Sequence, residues 1–135
     1  MINKENRFDE YSYRIAFREL DPSVTTLEEG QWITLANNKI VISDGTKKSF
    51  LCISSSRPGR DQISGKPVKK SSYLLGAFEI SVTNFDPTGT YVDMTPLVVT
   101  TGGILAPFVA GGDVSKIEAY AINAPVAGVL RICTK

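Results

Sequence analysis

Histidine is missing from this chain of 135 residues. Its absence excludes Ser-His-Asp and Cys-His catalytic arrangements and every metal site built on imidazole. Acid–base chemistry would fall to carboxylates, lysines or tyrosines. Cysteine is scarce. Cys52 and Cys133 are the only two, and no C-x-x-C spacing occurs, so redox and zinc roles have no support. They sit in the apolar phrases Phe50-Leu51-Cys52-Ile53 and Leu130-Arg131-Ile132-Cys133. Both are expected to be buried and to act as small hydrophobes, a disulfide between neighbouring strands being the alternative. No apolar run approaches the roughly 20 residues that cross a bilayer, so no membrane partner is expected. The first residues, Met1 to Arg7, are polar and no apolar segment follows. The expectation is therefore a chain without a signal peptide, made in the cytoplasm of the producing cell. G-x-G-x-x-G and acidic calcium loops are also missing. Gly59, Gly65 and Lys66 suggest a phosphate loop, but five residues separate the glycines and Pro67 follows the lysine, which breaks the pattern. No cofactor and no metal is expected.

What is present is an ordinary globular composition, 42% apolar and 21% charged, in a length that fits one domain. The charge is unevenly placed. Residues 47–70 hold seven bases (Lys47, Lys48, Arg57, Arg60, Lys66, Lys69, Lys70) against one acid, Asp61, a net of +6 in a protein of net +1. A field sorted in this way orients partners. A single-strand nucleic-acid reader would interleave aromatics with such bases, yet no Phe, Tyr or Trp lies between residues 51 and 72. Sequence-specific nucleic-acid binding is therefore not expected. An acidic protein surface is the favoured partner; a solvated loop without a partner and nonspecific polyanion binding are the alternatives.

Period two marks the strands. Tyr11, Tyr13, Ile15 and Phe17 alternate with Ser12, Arg14, Ala16 and Arg18 until Asp21-Pro22. Two strands, 31–36 and 39–43, flank Asn37-Asn38, a tight-turn pair, and Asp44-Gly45 makes a second turn before 49–54. Residues 54–70 show no periodicity and read as a long loop. Further strands are expected at 73–82, 91–94, 97–100, 116–122 and 126–133, with Gly76 at a bulge or close contact. The expectation is an all-β fold of about eight to ten short strands. It is a single small barrel or sandwich over 23–135, with an extended N-terminal arm over 1–22.

Asp86 and Asp113 lie in turn phrases, where aspartate caps its own backbone. Glu79 and Glu118 fall within strands and are expected to face water. No carboxylate pair stands out, and no catalytic residue is proposed.

Several phrases resemble the β-rich decoration (cement) proteins on the heads of tailed bacteriophages: Leu27-Glu28-Glu29-Gly30-Gln31-Trp32-Ile33, Asp44-Gly45, Pro58-Gly59-Arg60-Asp61, Gly102-Gly103, Gly112-Asp113-Val114 and Gly128-Val129-Leu130-Arg131-Ile132-Cys133. The resemblance covers residues 27–135. It implies a virion structural protein, not an enzyme, that binds the outside of an assembled capsid and bridges neighbouring major capsid subunits. It also implies an N-terminal arm that reaches a neighbour. Phe8, Tyr11, Tyr13, Ile15 and Phe17 could add a strand to a neighbour's sheet, or could form a strand of the protein's own body. Arg57, Arg60, Lys66, Lys69 and Lys70 would meet an acidic capsid patch, or the acidic arm of another copy in a ring such as a trimer. The alternative function is a carbohydrate- or cell-surface-binding domain of a fibre or adhesin, with Trp32, Tyr73, Tyr91 and Tyr120 as candidate contacts. An enzyme ranks third.

Overall fold

A computed structural model describes residues 13–61 and 63–134. Eleven strands run through them: β1 (Tyr13–Glu19), β2 (Trp32–Ala36), β3 (Lys39–Ile42), β4 (Phe50–Leu51), β5 (Arg57–Arg60), β6 (Pro67–Gly76), β7 (Glu79–Val82), β8 (Pro96–Thr100), β9 (Ile104–Pro107), β10 (Ile117–Ala121) and β11 (Leu130–Cys133). The only helical piece among the described residues is one short turn, Val114–Lys116. The fold is all-β, as expected, and sandwich-like.

The strands form three sheets, ordered β1-β6-β5, β3-β2-β4 and β7-β11-β10-β8-β9. The two three-stranded sheets meet at isolated bridges, Cys52 with Tyr73 and Leu20 with Ile40. No continuous ladder closes them, so there is no closed barrel. Side-chain alternation explains how three sheets share two cores. Along β2, Trp32 enters a core shared with the five-stranded sheet, while Ile33 enters a second core with Leu20, Leu27, Ile40 and Tyr73. Leu51 and Cys52 divide in the same way, as do Leu74 and Tyr73. The middle layer is thus buried on both faces, and a strand of that kind reads as a nearly continuous apolar run.

The Asn37-Asn38 hairpin forms as expected, with φ of 50° and 66°, the left-handed pair that matches strand twist. Five expectations change. Residues 54–70 are not a loop: β5 pairs with the start of β6, Arg57 opposite Lys70 and Arg60 opposite Pro67. Prolines and a glycine hide this strand from propensity, yet β5 is a sheet edge, where proline is tolerated. Residues 91–94 are a turn, with Met94 at φ 62°. Glu118 is 8% exposed, because the register slips between Ile117 and Ala119 and the bulge turns this side chain inward. Glu79 is largely covered, its carboxylate 2.8 Å from the Arg131 guanidinium. The arm also changes its boundary. Tyr13 to Glu19 pair residue by residue with β6, Leu20 is 4% exposed, and Asp21 N–H donates to Ile40 O at 2.9 Å. Residues 13–22 therefore belong to the body; residues 1–12 lie outside the described residues.

Candidate docking surface

Among the described residues, β1 is an edge strand. On one side it has β6; on the other, contact with β3 is made at its end, where Leu20 bridges Ile40. Opposed residues of an antiparallel pair share a face, and this rule sorts the surface. Ile15 lies opposite Leu74, Phe17 opposite Ser72, and Glu19 opposite Lys70, which in turn faces Arg57. Ile15, Phe17, Lys70 and Arg57 thus lie on one face of the sheet. The five-stranded sheet buries Leu74 but leaves Ile15 43% and Phe17 63% exposed. On the opposite face, Ala16 packs against the second core and Arg18 Nε donates to Tyr73 Oη at 3.0 Å. β1 therefore spends one face on folding and presents the other.

The hairpin beside it ends in a tight tip. Asp61 Oδ1 accepts the Ile63 N–H and Oδ2 accepts the Ser64 hydroxyl, both at 3.0 Å. Arg60 Nη1 donates to Gly65 O at 3.0 Å. The bonds from Ile63 and Ser64 hold the Asp61 carboxyl below its ordinary range, the Ile63 N–H foremost. The tip carries Ile63, 97% exposed, beside the exposed Lys66. A large apolar side chain at the end of a cationic hairpin is a contact residue that charge counting passes over. Its sequence signal is a lone isoleucine among turn formers, Asp61, Ser64 and Gly65.

The predicted site residues separate as follows. Phe17, Arg57 and Lys70 share a face. The aliphatic stem of Lys70 lies over Gly59, where a Cβ would come within 3.0 Å of it. Lys69 and Arg60 belong to the other face by alternation, and Lys69 Nζ donates to Thr25 O at 2.8 Å, tying the hairpin to the loop after β1. Tyr13 packs half-buried against the first core. Phe8 and Tyr11 lie outside the described residues. Lys47 and Lys48 are not part of this patch. They line a cleft with Lys116 and Glu118, so the basic stretch of the sequence is two separate features.

The aromatics considered for sugar binding go elsewhere. Trp32, Tyr73 and Tyr91 are buried, at 2%, 1% and 4% exposure, and Tyr120 is half-buried. Burial and the neighbouring Asp86 push the Tyr91 hydroxyl up to about 12. The expected turn aspartates are confirmed. Asp86 Oδ1 accepts from Thr88, hydroxyl at 2.7 Å and N–H at 2.9 Å, and Asp113 Oδ1 accepts from Ser115 in the same way. Both cysteines are free thiols, Cys52 buried and Cys133 half-buried beside Arg131 on its strand. Burial raises both above the usual thiol range, so neither is an activated nucleophile. Among the described residues, no three His, Cys, Asp or Glu gather as a metal site, and no helix is long and apolar enough to cross a membrane. Compared with known proteins, the chain matches no family model, no curated protein and no solved structure.

Proposed function

We propose that this protein is a capsid decoration protein, which docks on the outside of an assembled phage head and bridges neighbouring capsid subunits. The observation that carries the reading is the edge strand β1. Its inner face is committed to the fold, while Ile15 and Phe17 are exposed beside Lys70 and Arg57. Large apolar side chains on an exposed sheet edge are a liability that proteins usually blunt. Keeping them is consistent with an edge that is covered in use. A strand added along β1 would satisfy its outer backbone groups, and the apolar pair would anchor it. The cationic hairpin would set orientation against an acidic patch.

The mechanism is mechanical. A ligand that binds the assembled shell and not its separated subunits stabilises the shell by mass action. Many copies, or one copy touching two subunits, multiply weak contacts through effective concentration. The experiment is co-sedimentation of the purified full chain with phage heads assembled from the capsid gene of the same genome. Saturable binding at the head surface, with heads that then resist heat longer, is the expected result. Heads that neither bind the chain nor gain heat resistance would refute the proposal.

A further inference from the structure

A second feature lies away from the docking face. Between the β3–β4 connection and the five-stranded sheet is a cleft of about 400 Å³, within the size range of small-ligand sites. Leu51, Leu74 and Phe78 supply apolar wall. Lys47, Lys48 and Lys116 line it with a single carboxylate, Glu118. That carboxylate is already satisfied. Its Oε2 accepts the buried Ser49 N–H at 2.6 Å, and its Oε1 accepts Lys48 Nζ at 3.0 Å. Three cations against one engaged anion leave the cleft positive. Lys116 Nζ donates to Thr46 O at 2.5 Å, which occupies one of its three donors and fixes the ammonium in place.

The independent observation is Trp32, which also forms part of the wall. It is 2% exposed, and its indole Nε1 is buried with no hydrogen-bond partner among the described residues. Indole nitrogen can only donate. Buried donors are nearly always paired, with protein, water or ligand, and the described residues supply no acceptor for this one. A ligand for this cleft therefore brings negative charge for the lysines, an acceptor for the indole, and apolar body for the remaining wall. Inorganic anions meet the first need and waste the third.

We infer that the cleft binds a small organic carboxylate, its charge held by Lys48 and Lys116, its body against Leu51, Leu74 and Phe78, and an oxygen accepting the Trp32 N–H. The site is independent of the capsid reading. Trp32 is the chain's only tryptophan, so one indole resonance reports on it without ambiguity. The test titrates the full chain with 4-hydroxybenzoate, with hexanoate, with the neutral 4-hydroxybenzamide and with inorganic phosphate, at constant ionic strength. The indole N–H cross-peak is expected to move saturably with the two carboxylates. The amide should bind about tenfold more weakly, and phosphate should leave the peak in place. Lys116→Gln, a substitution at the cleft rim, should weaken carboxylate binding about tenfold while leaving the unfolding midpoint unchanged. Trp32→Phe, which keeps an apolar ring and removes the donor, should weaken it further. An indole peak unmoved by both carboxylates at about 10 mM overturns the inference. So does equal binding of amide or phosphate, or a Lys116→Gln protein that binds as the parent does.

Discussion

Glu118 and the turn aspartates show how position decides what a carboxylate does. Glu118 is buried, and its Oε2 holds the Ser49 N–H. Glu118→Ala would leave that buried donor without a partner, at a cost of about 1–3 kcal/mol. Lys48→Ala removes only the exposed half of the pair, its side chain 73% accessible, and should cost no more than about 1 kcal/mol. Urea unfolding midpoints distinguish the two; equal losses would show that the ion pair, not the Ser49 bond, is what matters. The aspartates act on pH instead. Asp44, Asp86 and Asp113 are held below their ordinary 3.8 by bonds from Thr46, Thr88 and Ser115. A group with a lowered folded pKa contributes stability that is fully present above its unfolded value and is lost as pH falls through the folded one. At the alkaline end the sign reverses. Cys52, Cys133 and Tyr91 are raised by burial, and their contribution is present below the unfolded values and lost as pH rises through the folded ones. With no histidine in the chain, the urea midpoint should be flat between about pH 5 and 8 and should fall on either side. A slope inside that window would contradict this account.

At the scale of elements, the turn between β8 and β9 is the joint between layers. Gly103 O accepts the backbone N–H of Trp32 at 2.9 Å, and the Gly103 N–H donates to Ser43 O at 3.0 Å. Asn84 Nδ2 also donates to Gly103 O at 3.1 Å. Gly103 has φ of 71°, and a Cβ there would lie 2.5 Å from Trp32 O. Gly111 has φ of 89° with open space around it. Gly111→Ala should cost about 1–2 kcal/mol, the left-handed penalty alone. Gly103→Ala adds a clash with backbone and should cost about 1–3 kcal/mol more. Thermal unfolding of the two variants measures the difference, and equal shifts would mean that the joint gives way. This joint was not legible in sequence, where Gly102-Gly103 reads only as a turn. Local chemistry was legible: Asn37-Asn38, Asp44-Gly45, Asp86 and Asp113 all do what their residue types dictate. The doubly buried strands were legible from the turns beside them, but Trp32-Ile33 and Leu51-Cys52 show no wet face, so which residue enters which core was not. The basic hairpin was hidden by Pro58, Gly59 and Pro67, which signal a loop unless a partner strand is known. Alternation at Ile15 and Phe17 foreshadowed the strand β1, but not that its apolar face would be the exposed one. That Lys69 is tied to Thr25 while Lys70 stays with the docking face follows from register alone, and register is a tertiary fact.

Across the whole molecule, the +6 stretch of the sequence is split by folding between a hairpin and a cleft. None of the hairpin's bases lines the cleft, so each group acts on its own neighbours and not as one patch. Changing Arg57, Arg60, Lys66 and Lys70 to serine should weaken attachment to heads and flatten its salt dependence. The sharper test separates folding from docking within four residues of chain. Phe17 and Leu20 are both large and apolar, but Phe17 is 63% and Leu20 4% exposed. Leu20 fills the second core with Ile33, Ile40 and Tyr73, and Leu20→Ala should destabilise the body by about 2–5 kcal/mol. Phe17→Ser removes an exposed side chain and should change stability by no more than about 0.5 kcal/mol. Its effect belongs to attachment, where losing an apolar anchor should weaken head binding about tenfold or more. Denaturation and co-sedimentation on the same two variants give four measurements. If Phe17→Ser destabilises the isolated chain as Leu20→Ala does, the strand serves the fold on both faces. If it leaves both folding and attachment intact, the exposed edge of β1 is not where this protein holds its partner.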